Sequence, residues 1–127
     1  MKRLHIAVCL MVLILATCIT ENIAISHYYN KLDVMLKDAS KLCLNNEFED
    51  AEKKTIDLEN YWDNSAENVL SLFVNHNVVD QIGYSIAKLE PSIISKGSLE
   101  FITECKTAST FLKHLKEDEE ISLTSIF

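Results

Sequence analysis

The chain has 127 residues and a formal net charge of −7, a length that suits one domain with a modest core and requires no second one. It contains only two glycines and one proline, and so few turn-forming residues favour long helices over a many-stranded β fold. All nineteen acidic residues and ten of the twelve basic ones lie from Glu21 onward, and so acidic a domain repels phosphate backbones, which excludes nucleic acid as an expected partner.

The first predicted element is an apolar helix at the N-terminus. Residues 4–20 read LHIAVCLMVLILATCIT, and a helix of this length spans about 25 Å, enough for a thin bilayer. We therefore predict a membrane anchor or signal segment over residues 1–25, with residues 4–20 in contact with lipid. The remaining residues, 26–127, are predicted to form a helical domain.

The charges on either side of the apolar run predict its orientation. Lys2 and Arg3 precede the run and Glu21 follows it, so the positive-inside rule places the N-terminus in the cytoplasm and the domain outside. The chain is thus expected to be a single-pass protein of the cell membrane with an extracytoplasmic domain.

Two alternatives to a retained anchor stay open. A basic start and a short apolar region also fit a cleaved secretory signal, with Ala24 and Ser26 as small residues near a cleavage point. Residues 15–18, LATC, resemble a lipoprotein cleavage box. All three interpretations export the domain.

Two amphipathic helices are predicted next, because apolar residues recur every three or four positions. The first stripe comprises Ile25, Tyr29, Leu32, Leu36, Ala39 and Leu42, and Asn45 with Asn46 ends the helix. The second is close to a heptad seam and comprises Phe48, Ala51, Thr55, Leu58, Trp62, Ala66, Val69 and Phe73. These two helices are expected to pack antiparallel.

Two further helices complete the predicted domain. The third is expected to begin near Asn75, because Asn is a preferred N-cap, and to be kinked or shortened by Pro91. Its inward residues are predicted to be Val79, Ile82, Ile86, Leu89 and Ile93. Residues 96–98, Lys-Gly-Ser, predict a helix end and a new start with Ser98 as the cap. The fourth helix carries an apolar stripe at Phe101, Cys105, Ala108, Leu112 and Leu115.

The C-terminal residues 121–127, ISLTSIF, are apolar again. They are expected to dock on the bundle, since exposed together they would form an uncovered apolar patch. The predicted fold is therefore all-α, with an N-terminal transmembrane helix continuing into an antiparallel bundle of about four helices.

Several segments resemble one known family over nearly the whole chain. They are the basic start with its single span, the opening NEFEDA of the second helix, Trp62, the run LSLFVNH at residues 70–76 with Asp80 beyond it, and the ending from His114 to Phe127. Together these segments resemble the bacterial family of domain of unknown function 4363, found mainly in spore-forming Firmicutes. The resemblance implies an envelope-facing helical protein and assigns no chemistry to it.

A zinc site is one hypothesis for the histidines. His76 and Asp80 lie four residues apart at the start of the third helix, and His114 lies far along the fourth, so two imidazoles and a carboxylate could bind zinc. No spacing here is a recognised zinc signature. The favoured interpretation is that His76 caps or packs at the helix turn and His114 lies near a helix C-terminus.

The cysteines allow two interpretations. Cys9 and Cys18 lie in the apolar segment, whereas Cys43 and Cys105 lie in the domain. If the latter two are adjacent, an oxidising compartment allows one disulfide, and two buried free thiols explain the pattern equally well. No base is expected beside either thiol, which argues against a nucleophile.

The remaining candidates are acidic and aromatic. The run from Glu117 to Glu120 could attract a divalent ion weakly, but it lacks the spacing of a calcium loop and is interpreted as a solvated helix end. Four aromatic residues are expected to lie in the core or at an interface: Trp62, Tyr28, Tyr29 and Tyr61. Of these, Tyr28 and Tyr29 are close enough to the span to lie at headgroup level.

No catalytic, cofactor-binding or metal-binding residue is assigned from these patterns, and no enzyme activity is expected. The sequence predicts an uncharacterised membrane-anchored extracytoplasmic protein, with a non-enzymatic interaction or accessory role in the bacterial envelope through a protein partner or self-association. The alternative is a helical-bundle sensor or carrier of a ligand or metal.

Overall fold

The computed structural model describes the backbone of residues 1–95 and 98–126 and the side chains of residues 1–95 and 98–117. Within these ranges the regular structure is helical throughout: α1 (Lys2–Leu44), α2 (Phe48–Tyr61), a π-helical segment (Trp62–Ala66), α3 (Glu67–Phe73), α4 (His76–Ala87), α5 (Leu89–Ile94) and α6 (Ser98–Ile126). Because α2, the π segment and α3 are continuous and α4 leads directly into α5, the described chain forms four rods. The prediction of an all-α bundle of about four helices is confirmed, and the apolar N-terminal helix continues into it.

The C-terminal half of α1 packs antiparallel to α2. The rings of Tyr28 and Tyr61 have centroids 5.9 Å apart, and the ammonium of Lys54 lies 3.8 Å from a carboxylate oxygen of Asp38. Early residues of this part of α1 therefore face late residues of α2, as expected for a hairpin.

The helix α6 packs antiparallel to the same part of α1. The Lys116 ammonium lies 5.0 Å from the centre of the Tyr29 ring, and the Ser109 hydroxyl donates a hydrogen bond of 3.4 Å to Asp33. The last helix thus returns alongside the first.

One apolar core joins the four rods. The predicted inward residues of α4, α5 and α6 are all buried, and so are most of those predicted on α1 and α2. Thr55 is a polar residue within this core, and its hydroxyl is satisfied by donating a 2.8 Å hydrogen bond to the carbonyl of Ala51.

The turn after α1 explains why the helix ends at the predicted asparagines. Asn46 adopts a positive φ of 64°, a left-handed conformation that asparagine tolerates better than most residues. The amides of Asn46 and Glu47 then donate to the carbonyls of Cys43 and Leu42, at 3.1 and 2.9 Å. This pair of bonds is a Schellman motif, which satisfies carbonyls at the end of the helix.

Two details of the predicted apolar faces are corrected. On α1, Leu42 and Tyr29 are half-buried, whereas Cys43 and Met35 are buried. In α3, Leu70 is buried and the predicted Val69 is only half-buried. The cause in α3 is the π segment, whose wider turn takes up an extra residue and advances the buried face by one position.

The third rod begins and breaks where predicted. Asn75 caps α4, with its side-chain oxygen accepting a 2.9 Å hydrogen bond from the amide of Asn77. Pro91 lies in the first turn of α5, where its missing N–H removes no intrahelical hydrogen bond. If α4 continued unbroken, the proline ring would clash with the carbonyl of Ala87, four residues earlier. The helix α4 therefore ends at Ala87 and α5 restarts at Leu89.

The backbone of α6 begins at the predicted Ser98 and continues as helix to Ile126. The predicted stop at Lys96 and Gly97, and the predicted docking of the side chains of residues 121–127, lie outside the described residues.

Candidate functional site

The residues of the zinc hypothesis do not converge. His76 and Asp80 are exposed at the start of α4, and His114 is exposed on α6. Among the described residues, no group of three or more His, Cys, Asp and Glu side chains is arranged to hold a metal ion. The cap of α4 is supplied by Asn75 rather than by His76.

Cys43 and Cys105 are both buried, and both are free thiols. They face each other across the α1–α6 interface closely enough for Cys43 to influence the ionisation of Cys105. Burial is the main cause that raises the pKa of the Cys105 thiol to about 11, against an opposing hydrogen bond with Ser40. A thiol with so high a pKa stays protonated near neutral pH and is a poor nucleophile.

The tyrosines pack on the bundle. Tyr28 lies against Tyr61, and Lys31 places its ammonium 4.6 Å from the centre of the Tyr61 ring. Burial also raises the pKa of the Tyr61 phenol, and its hydroxyl has no hydrogen-bond partner among the described residues. These rings therefore contribute to the contact between α1 and α2.

A different place in the bundle has the features of a binding site. A cleft of about 300 Å³ lies between the α2–π rod and the α4–α5 rod, and it is lined by Glu59, Trp62, Asp63, Gly83, Ile86, Ala87, Glu90, Pro91 and Ile94. Trp62 and Asp63 belong to the π segment, and π turns inside α-helices are frequent at functional sites. The interruption at Pro91 forms the opposite wall.

Trp62 forms the floor of this cleft. Its side chain is only 3% exposed, as predicted from its place on the apolar seam of α2. Its indole nitrogen lies 3.0 Å from the point that a Cβ atom on Gly83 would occupy. The glycine therefore lets α4 approach the indole closely.

Three carboxyl groups surround the opening above the indole. Glu59 and Asp63 lie four residues apart on one rod, and Glu90 approaches from α5 within hydrogen-bond reach of Glu59. Burial raises the pKa of the Glu59 carboxyl from its usual 4.5 to about 7, and the hydrogen bond to Glu90 and the charges of Glu90 and Asp63 act in the same direction. Near neutral pH the Glu59 carboxyl group is therefore protonated for part of the time.

These carboxyl groups have no cationic partner among the described side chains. The ion pairs among the described side chains join Lys37 to Asp33 and Lys54 to Asp38, and neither pair lines the cleft. Lys88 is close in sequence to Glu90, but its ammonium lies 4.3 Å from the centre of the Tyr84 ring. The cleft thus concentrates negative charge against an apolar floor.

The sequence predicts that Trp62 is buried, but it does not single out the carboxyl groups of Glu59, Asp63 and Glu90. Glu59 and Asp63 carry like charges four residues apart, on either side of Trp62, and such a pair destabilises an isolated helix. This unfavourable spacing is the one sequence feature that could have indicated a site here. Glu90 could not be assigned, because its approach to Glu59 depends on how α5 packs against α2.

The N-terminal part of α1 differs from the bundle. Its side chains before Cys18 are all exposed, and in its most apolar window of 18 residues none is buried. The helix is long and apolar enough to cross a membrane by length and composition, criteria that an N-terminal signal sequence also meets.

Comparisons with known proteins are consistent with the resemblance seen in the sequence. No curated protein and no solved structure matches the chain. The family model described as Domain of unknown function (DUF4363) matches residues 19–126, a range that contains the whole bundle and every residue of the cleft. The chain therefore belongs to the DUF4363 family.

Proposed function

We propose that this chain is a non-enzymatic, membrane-anchored protein whose helical bundle stands on the outer side of a bacterial cell membrane and binds a partner there. The observation that carries the anchor is the apolar window of α1, none of whose residues is buried. Apolar side chains exposed in such numbers require lipid or another apolar cover.

The continuity of α1 supports a defined placement of the bundle. A single helix runs from Lys2 to Leu44, about 65 Å at 1.5 Å per residue, and its buried positions begin at Ile25. Lys2 and Arg3 at its start favour a cytoplasmic N-terminus. The domain would then begin within two turns of the outer membrane surface.

The direction of the second rod also favours contact with the membrane. Tyr61 lies beside Tyr28, and the π segment and α3 continue from there toward the apolar half of α1. Leu72 near the end of α3 is 77% exposed. An exposed leucine at this end of the bundle is suited to the boundary between lipid and water.

Membrane fractionation with an alkaline carbonate wash tests the anchor. The wild-type chain is expected to stay in the washed membrane. Leu13→Asp should reduce membrane insertion, because a carboxylate at the centre of a span costs about 2.5 to 3.5 kcal/mol. Leu44→Asp is the matched control, since Leu13 and Leu44 are both 66% exposed and lie on the same helix. Equal release of both variants would refute the anchor.

Topology and cleavage need separate measurements. A reporter fused after Phe127 should be active outside the cytoplasm, and activity only inside it would reverse the proposed orientation. N-terminal sequencing of the membrane-bound protein should start at the initiating residue. A start near Ser26 would instead identify a cleaved signal, and lipid attached to Cys18 would identify a lipoprotein.

A partner is expected to co-purify with the chain from detergent-solubilised membranes, and chemical cross-linking would distinguish a second protein from self-association. A second candidate function, a helical-bundle sensor or carrier of a ligand, is favoured by the acidic cleft around Trp62.

A further inference from the structure

One corner of the bundle carries no charged side chain. Residues 68–79, from the end of α3 to the first turn of α4, contain no Asp, Glu, Lys or Arg, and they are the longest such run from Glu21 onward. Charged residues make up 24% of the whole chain, so an uncharged run of this length is unusual for a surface that faces only water. We call residues 68–79 the α3–α4 corner.

Leu72 is the exposed apolar residue of this corner. Its side chain is 77% exposed, whereas its neighbours Phe73 and Val74 pack partly against the core. The bundle therefore does not use Leu72 for its own packing. A single exposed leucine is common on protein surfaces, so the position of Leu72 in the molecule decides how its exposure is interpreted.

The corner lies level with the end of the apolar segment of α1. Tyr61 packs beside Tyr28, and from Tyr61 the chain extends about 18 Å to Phe73, toward the N-terminus of α1, at 1.5 Å per residue. About twelve residues of α1 cover the same distance, so Phe73 lies near the level of residues 16–20. In agreement, α3 contacts α1, and the side chains of α1 begin to be partly covered at Cys18.

Hydrogen bonds within the corner satisfy several of its polar groups. The Ser71 hydroxyl donates a 2.6 Å hydrogen bond to a backbone carbonyl one turn earlier, and the side-chain oxygen of Asn75 accepts one from the amide of Asn77. The amide of Val74, where the chain leaves α3, donates a 2.8 Å bond to the carbonyl of Leu70. Such internal bonds lower the cost of moving polar groups out of bulk water.

The opposite end of the bundle differs in charge and position. Leu99 near the start of α6 is 81% exposed, about as much as Leu72. The antiparallel packing of α6 on α1 places Leu99 far from the apolar segment, and the charged residue Glu100 follows it directly. Exposure alone therefore does not distinguish the two ends. The lack of charge and the level of the corner beside the apolar segment do.

We propose that the α3–α4 corner is a second membrane-contact surface, which lies in the headgroup layer beside the span and places Leu72 among the upper parts of the acyl chains. A bilayer fits this surface because charged side chains, which are costly in lipid, are missing from it, and because it reaches the level of residues expected in lipid. The bundle is thereby held against the membrane at two places. This inference rests on the proposed function, since α1 must first bring a bilayer to the corner.

Tryptophan fluorescence in vesicles measures the depth of each end of the bundle. Leu72→Trp, Leu99→Trp and Leu13→Trp are introduced separately into the full chain, and the wild-type chain supplies the background from the buried Trp62. The proteins are reconstituted in vesicles of phosphatidylcholine and phosphatidylglycerol. Part of the lipid is brominated either near the headgroup or near the end of the acyl chains, because bromine quenches tryptophan only at short range.

Three positions give three expected results. Leu72→Trp should be quenched more by the shallow bromines, Leu13→Trp more by the deep ones, and Leu99→Trp by neither. If Leu72→Trp is quenched no more than Leu99→Trp while Leu13→Trp is quenched, the inference is overturned and the anchor stands. Burial of Leu72 against a second copy of the chain would give that result. No quenching of Leu13→Trp would refute the anchor and this inference with it.

A charge placed in the corner should lift it from the membrane. Asn75→Asp adds a negative charge, and Asp caps a helix as well as Asn does, so α4 should keep its start. Combined with Leu72→Trp, this change should reduce the shallow quenching about twofold, since anionic lipid repels the added charge. Asn45→Asp adds the same charge at the exposed turn after α1 and should leave the quenching unchanged. An equal response to both charges would contradict lipid contact at the corner.

Discussion

The indole nitrogen of Trp62 lies 3.0 Å from the position that a Cβ atom on Gly83 would occupy. Such a distance is tighter than most contacts of real Cβ atoms, so any larger residue at position 83 would require the indole of Trp62 to shift. The contact joins two rods directly beneath the acidic cleft. Substitutions at Gly83 and Trp62 can therefore test how the floor of the cleft is packed.

Gly83→Ala is expected to destabilise the bundle. Alanine has the better helix propensity by about 1 kcal/mol, but its methyl group would press on the buried indole ring of Trp62. Overpacking of this kind costs about 1 to 3 kcal/mol, so we expect a net loss of up to about 2 kcal/mol. Thermal unfolding of the full chain in detergent, followed by circular dichroism, measures the effect.

The same substitution in a Trp62→Phe background is the control. The smaller ring leaves room for the methyl group, so Gly83→Ala should there be neutral or stabilising. The Trp62 indole is in direct contact with position 83, and a double-mutant cycle isolates that coupling. An equal loss in both backgrounds would show that the alanine acts on the backbone and not on the indole.

Trp62→Ala should be among the most destabilising substitutions in the chain. Removing a buried tryptophan side chain costs about 3 to 5 kcal/mol through lost transfer energy and the cavity left behind. Asn60→Ala, two residues away on an exposed position, should change stability by no more than about 0.5 kcal/mol. Similar melting temperatures for the two variants would contradict the buried placement of Trp62.

The stability of the bundle should depend on the protonation of Glu59. Between its usual pKa of 4.5 and the raised pKa of about 7, the folded chain holds a proton that the unfolded chain has lost. The stability that depends on a neutral Glu59 carboxyl, which burial chiefly favours, is thus complete below pH 4.5 and is lost as the pH rises toward 7. Melting temperatures measured across this interval should fall with rising pH.

Glu59→Gln isolates this contribution from the titration of other carboxylates. The glutamine amide donates a hydrogen bond to Glu90 at every pH and carries no charge. The difference in melting temperature between the variant and the wild type should therefore widen in favour of the variant from pH 4.5 to pH 8. A constant difference would mean that Glu59 titrates normally.

Cys105 should resist alkylation in the folded chain. Burial and a pKa of about 11 leave almost no thiolate at pH 8, so iodoacetamide should label this residue much more slowly than in urea. Peptide mass spectrometry reports the labelling of Cys43 and Cys105 separately. Equal rates with and without urea would place the thiol at the surface, and a loss of two hydrogens from the pair would identify a disulfide.

Much of the fold could be predicted because helix stripes are local patterns. The buried residues of α4, α5 and α6 follow from apolar residues spaced three and four positions apart. The helix breaks at Asn46 and Pro91 follow from the backbone preferences of asparagine and proline. The prediction was wrong at Val69 because the π segment between Trp62 and Ala66 shifted the buried face. A seam with regular spacing gives no sign of such a bulge.

The sequence by itself determined that the chain is helical, that its first helix is apolar enough for a membrane, and that Trp62 belongs to the core. These properties depend on the order of apolar and polar residues within one helix. Only the tertiary structure decided that Glu59 lies close to Glu90 above Trp62, and that the indole packs closely against Gly83. Those residues come from rods joined by loops, so their proximity depends on packing between helices, which residue spacing within a helix does not specify.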